Sequence, residues 1–120
     1  MIKTSYFANV KKLNIPIEKC VAITLGATFW KGEKANELAP TKELLNWWKS
    51  LSKENQVSDY FKIKYKKEYV KTVLDKLNPK EIYEKYNNKI FLCFEKTDDF
   101  CHRHIVSSWL RYLGFECEEL

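Results

Sequence analysis

Glycine and proline are scarce in this 120-residue chain, three of each, and histidine is scarcer still, with two. With 45% hydrophobic and 15% aromatic residues beside them, these counts argue against low-complexity and intrinsically disordered classes. No apolar run approaches the length of a membrane span, so no membrane partner is expected. The start Met1-Ile-Lys-Thr-Ser5 lacks the apolar core of a secretory signal, and the expectation is a cytoplasmic protein. No internal repeat is visible, and no cofactor-binding motif is expected to be used. The four cysteines allow two disulfides in principle. Cys93 falls inside an apolar strand-like run, however, and free thiols are expected. Arginine is nearly missing: of 21 Lys and Arg residues only Arg103 and Arg111 are Arg, leaving 19 Lys.

The residues that are plentiful fit one compact domain spanning residues 1–120, long enough to bury about two-thirds of its unfolded surface. The net charge of +5 favours polyanionic partners without requiring them. Residues 2–8 mix β-branched and aromatic side chains and predict a first strand, with Ser5, Tyr6 and Asn9 at its carboxyl end. Residues 10–19 leave room for a short helical turn. A second strand is predicted over residues 20–25, closed by Gly26, and residues 27–40 form an arm without clear period that carries Phe29, Trp30, Lys31 and Gly32.

Thr41, with Pro40 before it and Glu43 after, caps a helix predicted to end near Leu51. Residues 52–55 form a polar break. A second helix is predicted over residues 57–77, because Phe61, Tyr65, Tyr69, Val73 and Leu77 form one stripe at i+4 spacing. Asn78 and Pro79 open a third helix that ends near Asn87-Asn88. Residues 90–94 form an unbroken apolar run suited to a strand covered on both faces. Beyond it Ile105, Val106, Trp109, Leu110 and Leu113 recur at helical spacing before Gly114. Residues 115–118 predict a last strand. The expected fold is a single three-layer α/β domain, with a mostly parallel sheet of about four strands flanked by helices.

The chemistry gathers at one junction. Cys101, His102, Arg103 and His104 stand in the first turn of a helix, just past the carboxyl end of a buried strand, where ligands bind in open α/β sheets. Cations are disfavoured in a first turn by the helix dipole, yet both histidines and one of two arginines sit there. A bound anion resolves the conflict, with the Arg103 fork on a phosphate or carboxylate and His102 or His104 beside it. A structural cluster is the alternative. A helix terminus and neighbouring cations also favour a thiolate, making Cys101 a nucleophile candidate, although buried cysteine is common. Cys101, His102 and His104 with Cys93 or Cys117 include zinc-type ligands, but neighbouring residues on one turn diverge, and no metal is expected. Glu95 and Lys96 end the strand beside the cluster. They are candidates for acid-base work and ligand contact, or form a solvated ion pair. Asp98 and Asp99 suit helix capping.

The segments Phe91-Leu-Cys-Phe-Glu-Lys96 and Phe100-Cys-His-Arg-His104, followed by Val106 and Trp109-Leu110, resemble the signature of the domain of unknown function 488 family. Trp30-Lys-Gly32, Leu38-Ala-Pro40, Tyr65, Glu68, Leu74 and Leu77 to Pro79 extend the likeness over nearly the whole chain. The resemblance implies the α/β fold and supplies no reaction. The chain departs from it in a short segment between the first two strands and in Lys31, where Arg is common. Lys31 and Tyr65 accordingly join Tyr6 and Asn9 as ligand-contact candidates.

Two functional classes follow. One is a site for a phosphate-bearing small molecule, nucleotide or nucleic acid at the Cys-His-Arg-His helix start, with or without catalysis by Cys101, His102 and Glu95. The other is a non-catalytic nucleic-acid-binding or protein-interaction module using the basic helix of residues 62–71. There Lys62, Lys64, Lys66, Lys67 and Lys71 intersperse Tyr65 and Tyr69. Helical phase turns those two sets apart, which favours a solvated face. Sequence leaves the oligomeric state open.

Overall fold

The structure, a computed structural model, describes residues 1–94 and 100–120. Five strands, β1 (Ile2–Tyr6), β2 (Cys20–Ala22), β3 (Glu33–Lys34), β4 (Ile90–Cys93) and β5 (Cys117–Glu119), form one sheet in the order β3-β2-β4-β1-β5. Every ladder among them is parallel. Among the described residues six α-helices flank it: α1 (Phe7–Lys12), α2 (Lys42–Ser50), α3 (Lys53–Gln56), α4 (Asp59–Thr72), α5 (Pro79–Lys85) and α6 (His102–Tyr112). This is the expected three-layer α/β architecture. None of the helices among the described residues is long and apolar enough to cross a membrane.

Strand alternation divides the core in two. Register places Ile2, Thr4, Phe91, Val21 and Cys117 on one face, with Lys3, Ser5, Ile90, Leu92 and Cys20 on the other. The first face carries the larger apolar cluster, which includes Tyr65, Tyr69, Ile82, Val106 and Leu110 from the helices. The second is smaller and is closed by Val10 of α1, with Phe7, Ile15 and Trp30 packed against it. Burial on both faces explains why β4 is uniformly apolar.

Several boundaries differ from the pattern-based expectation, each for a local reason. The first strand stops at Tyr6 because α1 begins at Phe7, and that helix ends before Asn14, which takes a left-handed conformation at φ 55. The short crossover from β1 to β2 joins strands that are not neighbours, since β4 lies between them. Within the arm of residues 27–40, Glu33 and Lys34 pair with Val21 and Ala22 as a fifth strand. The Trp30 indole lies so close over Gly32 that a Cβ there would meet its ring at 2.8 Å, and the indole N–H donates to the Glu33 carbonyl at 2.9 Å. The polar break after α2 holds the short helix α3, whose Ser52 hydroxyl accepts from the Asn55 amide. The long second helix ends at Thr72 and continues as a 3-10 turn over Leu74–Lys76.

Candidate functional site

Beyond the carboxyl ends of β2 and β4 the chain leaves a cavity of about 110 Å³. Thr24 and Leu25 follow β2, Phe94 follows β4, and Cys101 and His102 open α6 beneath it. Trp48 and Lys49 of α2, with Tyr65 of α4 and Phe100, complete the wall. The rings pack on one another: Phe100 lies 5.0 Å from Trp48 and 5.2 Å from Tyr65, centroid to centroid. The Lys62 ammonium stands 5.9 Å over the Phe100 ring. The Thr24 hydroxyl is buried in this wall without a hydrogen-bond partner among the described residues. An orphan hydroxyl at a cavity marks a place where a ligand or water completes the bonding.

His102 is held firmly. Its Nε2 bonds to the carbonyl oxygen of Ile23, which can only accept, so Nε2 carries the hydrogen and Nδ1 keeps its lone pair. Nδ1 lies 3.7 Å from the Cys101 Sγ. Burial, reinforced by the Arg103 and His104 charges and opposed by the Ile23 bond, lowers the imidazole pKa to about 4. His102 is therefore neutral at physiological pH.

The expected free thiols are found only in part. Cys20 and Cys117 are free and buried, and desolvation raises both thiol pKa values. Cys93 and Cys101 are joined in a disulfide between the end of β4 and the N-cap of α6. Strand and helix start converge at this junction, so two cysteines eight residues apart meet. Cys101 is extended, with φ −151 and ψ 147, and is not yet in the helix. Its side chain can thus converge with that of His102, where two adjacent residues within one helical turn would diverge.

Arg103 points the other way from the cavity wall. It is fully buried on the sheet, its Nε and Nη2 donating to both Glu119 carboxylate oxygens at 3.2 and 3.0 Å. Its Nη1 donates to the Cys93 Sγ at 3.3 Å, and its guanidinium sits 5.7 Å from the Tyr6 ring centroid. Thr4 donates to the same Glu119 carboxylate at 2.6 Å. The fork expected to face an anion is closed on a carboxylate. Glu119 was not among the residues singled out in the sequence, although alternation from buried Cys117 puts residue 119 on the same inward face.

The other candidates scatter. Tyr65 is in the cavity wall, while Tyr6 faces Arg103. Asn9 donates to the Ser5 hydroxyl at 3.0 Å on α1, and Lys31 is exposed on the arm. The His104 amide donates to the Cys101 carbonyl at 3.1 Å in the first turn of α6. Glu95, Lys96, Asp98 and Asp99 lie outside the described residues. Thr24, Trp48 and Lys49 enter the site from the structure alone, and Phe94 and Phe100, quoted above only for the family resemblance, join them.

Sheet order and cavity position define a parallel α/β protein with a crevice at the carboxyl ends of its strands, where ligands bind in open α/β sheets. The family model described as "DUF488-N3a: Active DUF488-N3 subclade" matches residues 21–114, and the chain belongs to the DUF488 family. The match contains the Cys101-His102-Arg103 motif and the cavity, and ends before Glu119. Searches of the curated proteins and of the solved structures find no match.

Proposed function

We propose that the crevice over Thr24, Cys101 and His102 binds one end of a phosphate-bearing ligand with a flat ring, a nucleotide or a terminus of nucleic acid. The observation that carries this reading is the buried Thr24 hydroxyl, without a hydrogen-bond partner among the described residues, in a wall that includes the rings of Trp48, Tyr65, Phe94 and Phe100. Rings of this kind stack on a base, and the hydroxyl and the neutral His102 supply polar contacts. At about 110 Å³ the cavity holds roughly four waters, so it admits part of such a ligand. The phosphate then lies toward Lys49, which lines the cavity, and Lys62, whose ammonium stands over the Phe100 ring. Arg103 supports the amino end of α6 from behind, and its anion contact is not part of this proposal.

Thermal-shift measurements with inorganic phosphate, nucleosides and nucleotides test it, because a ligand of the folded state raises apparent stability. Nucleotides are expected to raise the melting temperature more than phosphate or nucleoside alone, and Thr24→Val, which exchanges the hydroxyl for a methyl group of similar size, is expected to reduce that rise. Equal shifts in Thr24→Val, or none with any nucleotide, would overturn the proposal.

A second reading rests on α4, where Tyr60 and Ile63 are exposed among lysines and the Lys64 ammonium stands 5.6 Å over the Tyr60 ring. That surface suits a nucleic-acid or protein partner. Nucleic-acid retention that falls steeply with salt and is lost on reversing Lys64 and Lys67, with Thr24→Val unaffected, would favour it.

A further inference from the structure

Cys93, Cys101 and His102 bring three potential ligand atoms within 4.8 Å of one another, and all three residues are buried. We propose that in the reduced protein the Cys93 and Cys101 thiolates and the His102 Nδ1 form a binding site for a thiophilic divalent cation, zinc(II) by its coordination chemistry. This goes beyond the ligand reading above and does not rest on it.

Four features carry the inference. First, the Ile23 carbonyl fixes the hydrogen on Nε2, leaving the Nδ1 lone pair on the side of Cys101. A second ring nitrogen bonded to a backbone carbonyl is the usual support of a metal-bound histidine. Second, the 3.7 Å between Cys101 Sγ and His102 Nδ1 matches the sulfur-to-nitrogen edge of a tetrahedral zinc site, about 3.5 Å for bonds of about 2.3 and 2.0 Å. Third, the charges balance without water. Two thiolates neutralise a divalent cation, while Glu119 offsets Arg103, whose Nη1 at 3.3 Å from Cys93 Sγ is placed to donate to a metal-bound thiolate. Fourth, Cys101 and His102 line the crevice, which supplies the fourth coordination position. Three protein ligands and one open position are the arrangement of zinc sites that bind exchangeable groups.

The disulfide and the metal exclude each other. A phosphine reductant breaks the Cys93–Cys101 bond by a two-electron transfer, becoming the phosphine oxide as water supplies its oxygen and the two thiol protons. Metal binding then displaces one proton from each thiol, so both steps balance and the second is driven by rising pH.

Cobalt(II) serves as the probe, since thiolate coordination gives it a near-ultraviolet charge-transfer band and tetrahedral geometry gives it strong visible bands. Protein reduced with a phosphine until all four thiols titrate is expected to bind one cobalt ion per chain with these bands, and zinc(II) should bleach them. Disulfide-bonded protein should give none. Cys93→Ser and Cys101→Ser should abolish the signal, His102→Gln should weaken binding by about tenfold or more, and Cys20→Ser and Cys117→Ser should leave it intact. The wild-type chain gives a second readout that needs no variant: zinc should slow alkylation of Cys93 and Cys101, mapped by mass spectrometry. The inference is overturned if fully reduced protein gives neither band nor protection, if the disulfide form binds equally, or if the signal survives in Cys93→Ser. It also falls if the reduced chain is unfolded and zinc does not restore its circular dichroism. Nucleotide-induced stabilisation, measured with the disulfide intact and a chelator present, is independent of each of these outcomes.

Discussion

Arg103 is a helix-start cation whose charge is met by a carboxylate from beyond the far end of its own helix. Its guanidinium is fully buried, and such a charge persists only with a partner in good geometry. Glu119 supplies both oxygens, and Thr4 fixes the carboxylate from the next strand. Removing one partner strands the other, so Glu119→Gln is expected to cost about 3 kcal/mol in urea unfolding. Adding Arg103→Met should recover part of the loss, because the stranded charge goes with it. An unchanged unfolding midpoint in Glu119→Gln would show that the pair does not form in solution. His102 makes a pH-dependent contribution in the metal-free protein. Its folded pKa is about 4 against 6.5 for the free side chain, so in between the unfolded chain takes up a proton that the folded chain refuses. Stability should be complete above about pH 6.5 and fall by about 3 kcal/mol as pH drops to about 4. Urea titrations across that range should show the slope in wild type and a shallower one in His102→Gln.

At the scale of elements, capping decides where helices begin. The Asn78 carboxamide accepts from the amides of Lys80 and Glu81 at 2.9 and 3.3 Å, with Pro79 at the first helical position of α5. Asn78→Ala should therefore cost about 1 kcal/mol, while Asn78→Asp should be near neutral, both measurable by thermal unfolding. The same local chemistry made these helices legible in the sequence, as Thr41 and Asn78 announce α2 and α5 and Gly114, at φ 91, closes α6. Where no local signal exists, the sequence was silent. Glu33 and Lys34 are both exposed and carry no alternating pattern, and they become β3 only because β2 offers an open edge. The site divides in the same way. Cys101, His102 and Tyr65 stood out by composition and stripe, whereas Thr24 and the adjacent pair Trp48 and Lys49 lie far apart in sequence and meet only when α2 folds over the end of β2. Arg103 was visible as an anomaly, but its partner, sixteen residues on, was hidden in a strand at the opposite end of its own helix.

For the whole molecule, the Cys93–Cys101 bond joins the central strand to the helix that covers the larger core face, at the edge of the crevice. The loop it closes is short, with a sequence separation of 8, so the entropy it removes from the unfolded chain is modest. Chain-entropy arguments give about 2.5 kcal/mol for a loop of this size. Reduced protein in chelator should therefore unfold at lower urea concentration than the disulfide form by about that amount. The double variant Cys93→Ser/Cys101→Ser should reproduce the loss without any reductant. Zinc added to reduced wild type should return stability as its concentration exceeds Kd, by about 2.7 kcal/mol at a hundredfold excess, and should do nothing for the double variant. Reduction, metal and crevice would then act on one junction between strand and helix. If reduction leaves the unfolding curve unmoved, the bond does not hold that junction in solution, and the stability of the fold rests on the two sheet faces and the buried Arg103–Glu119 pair instead.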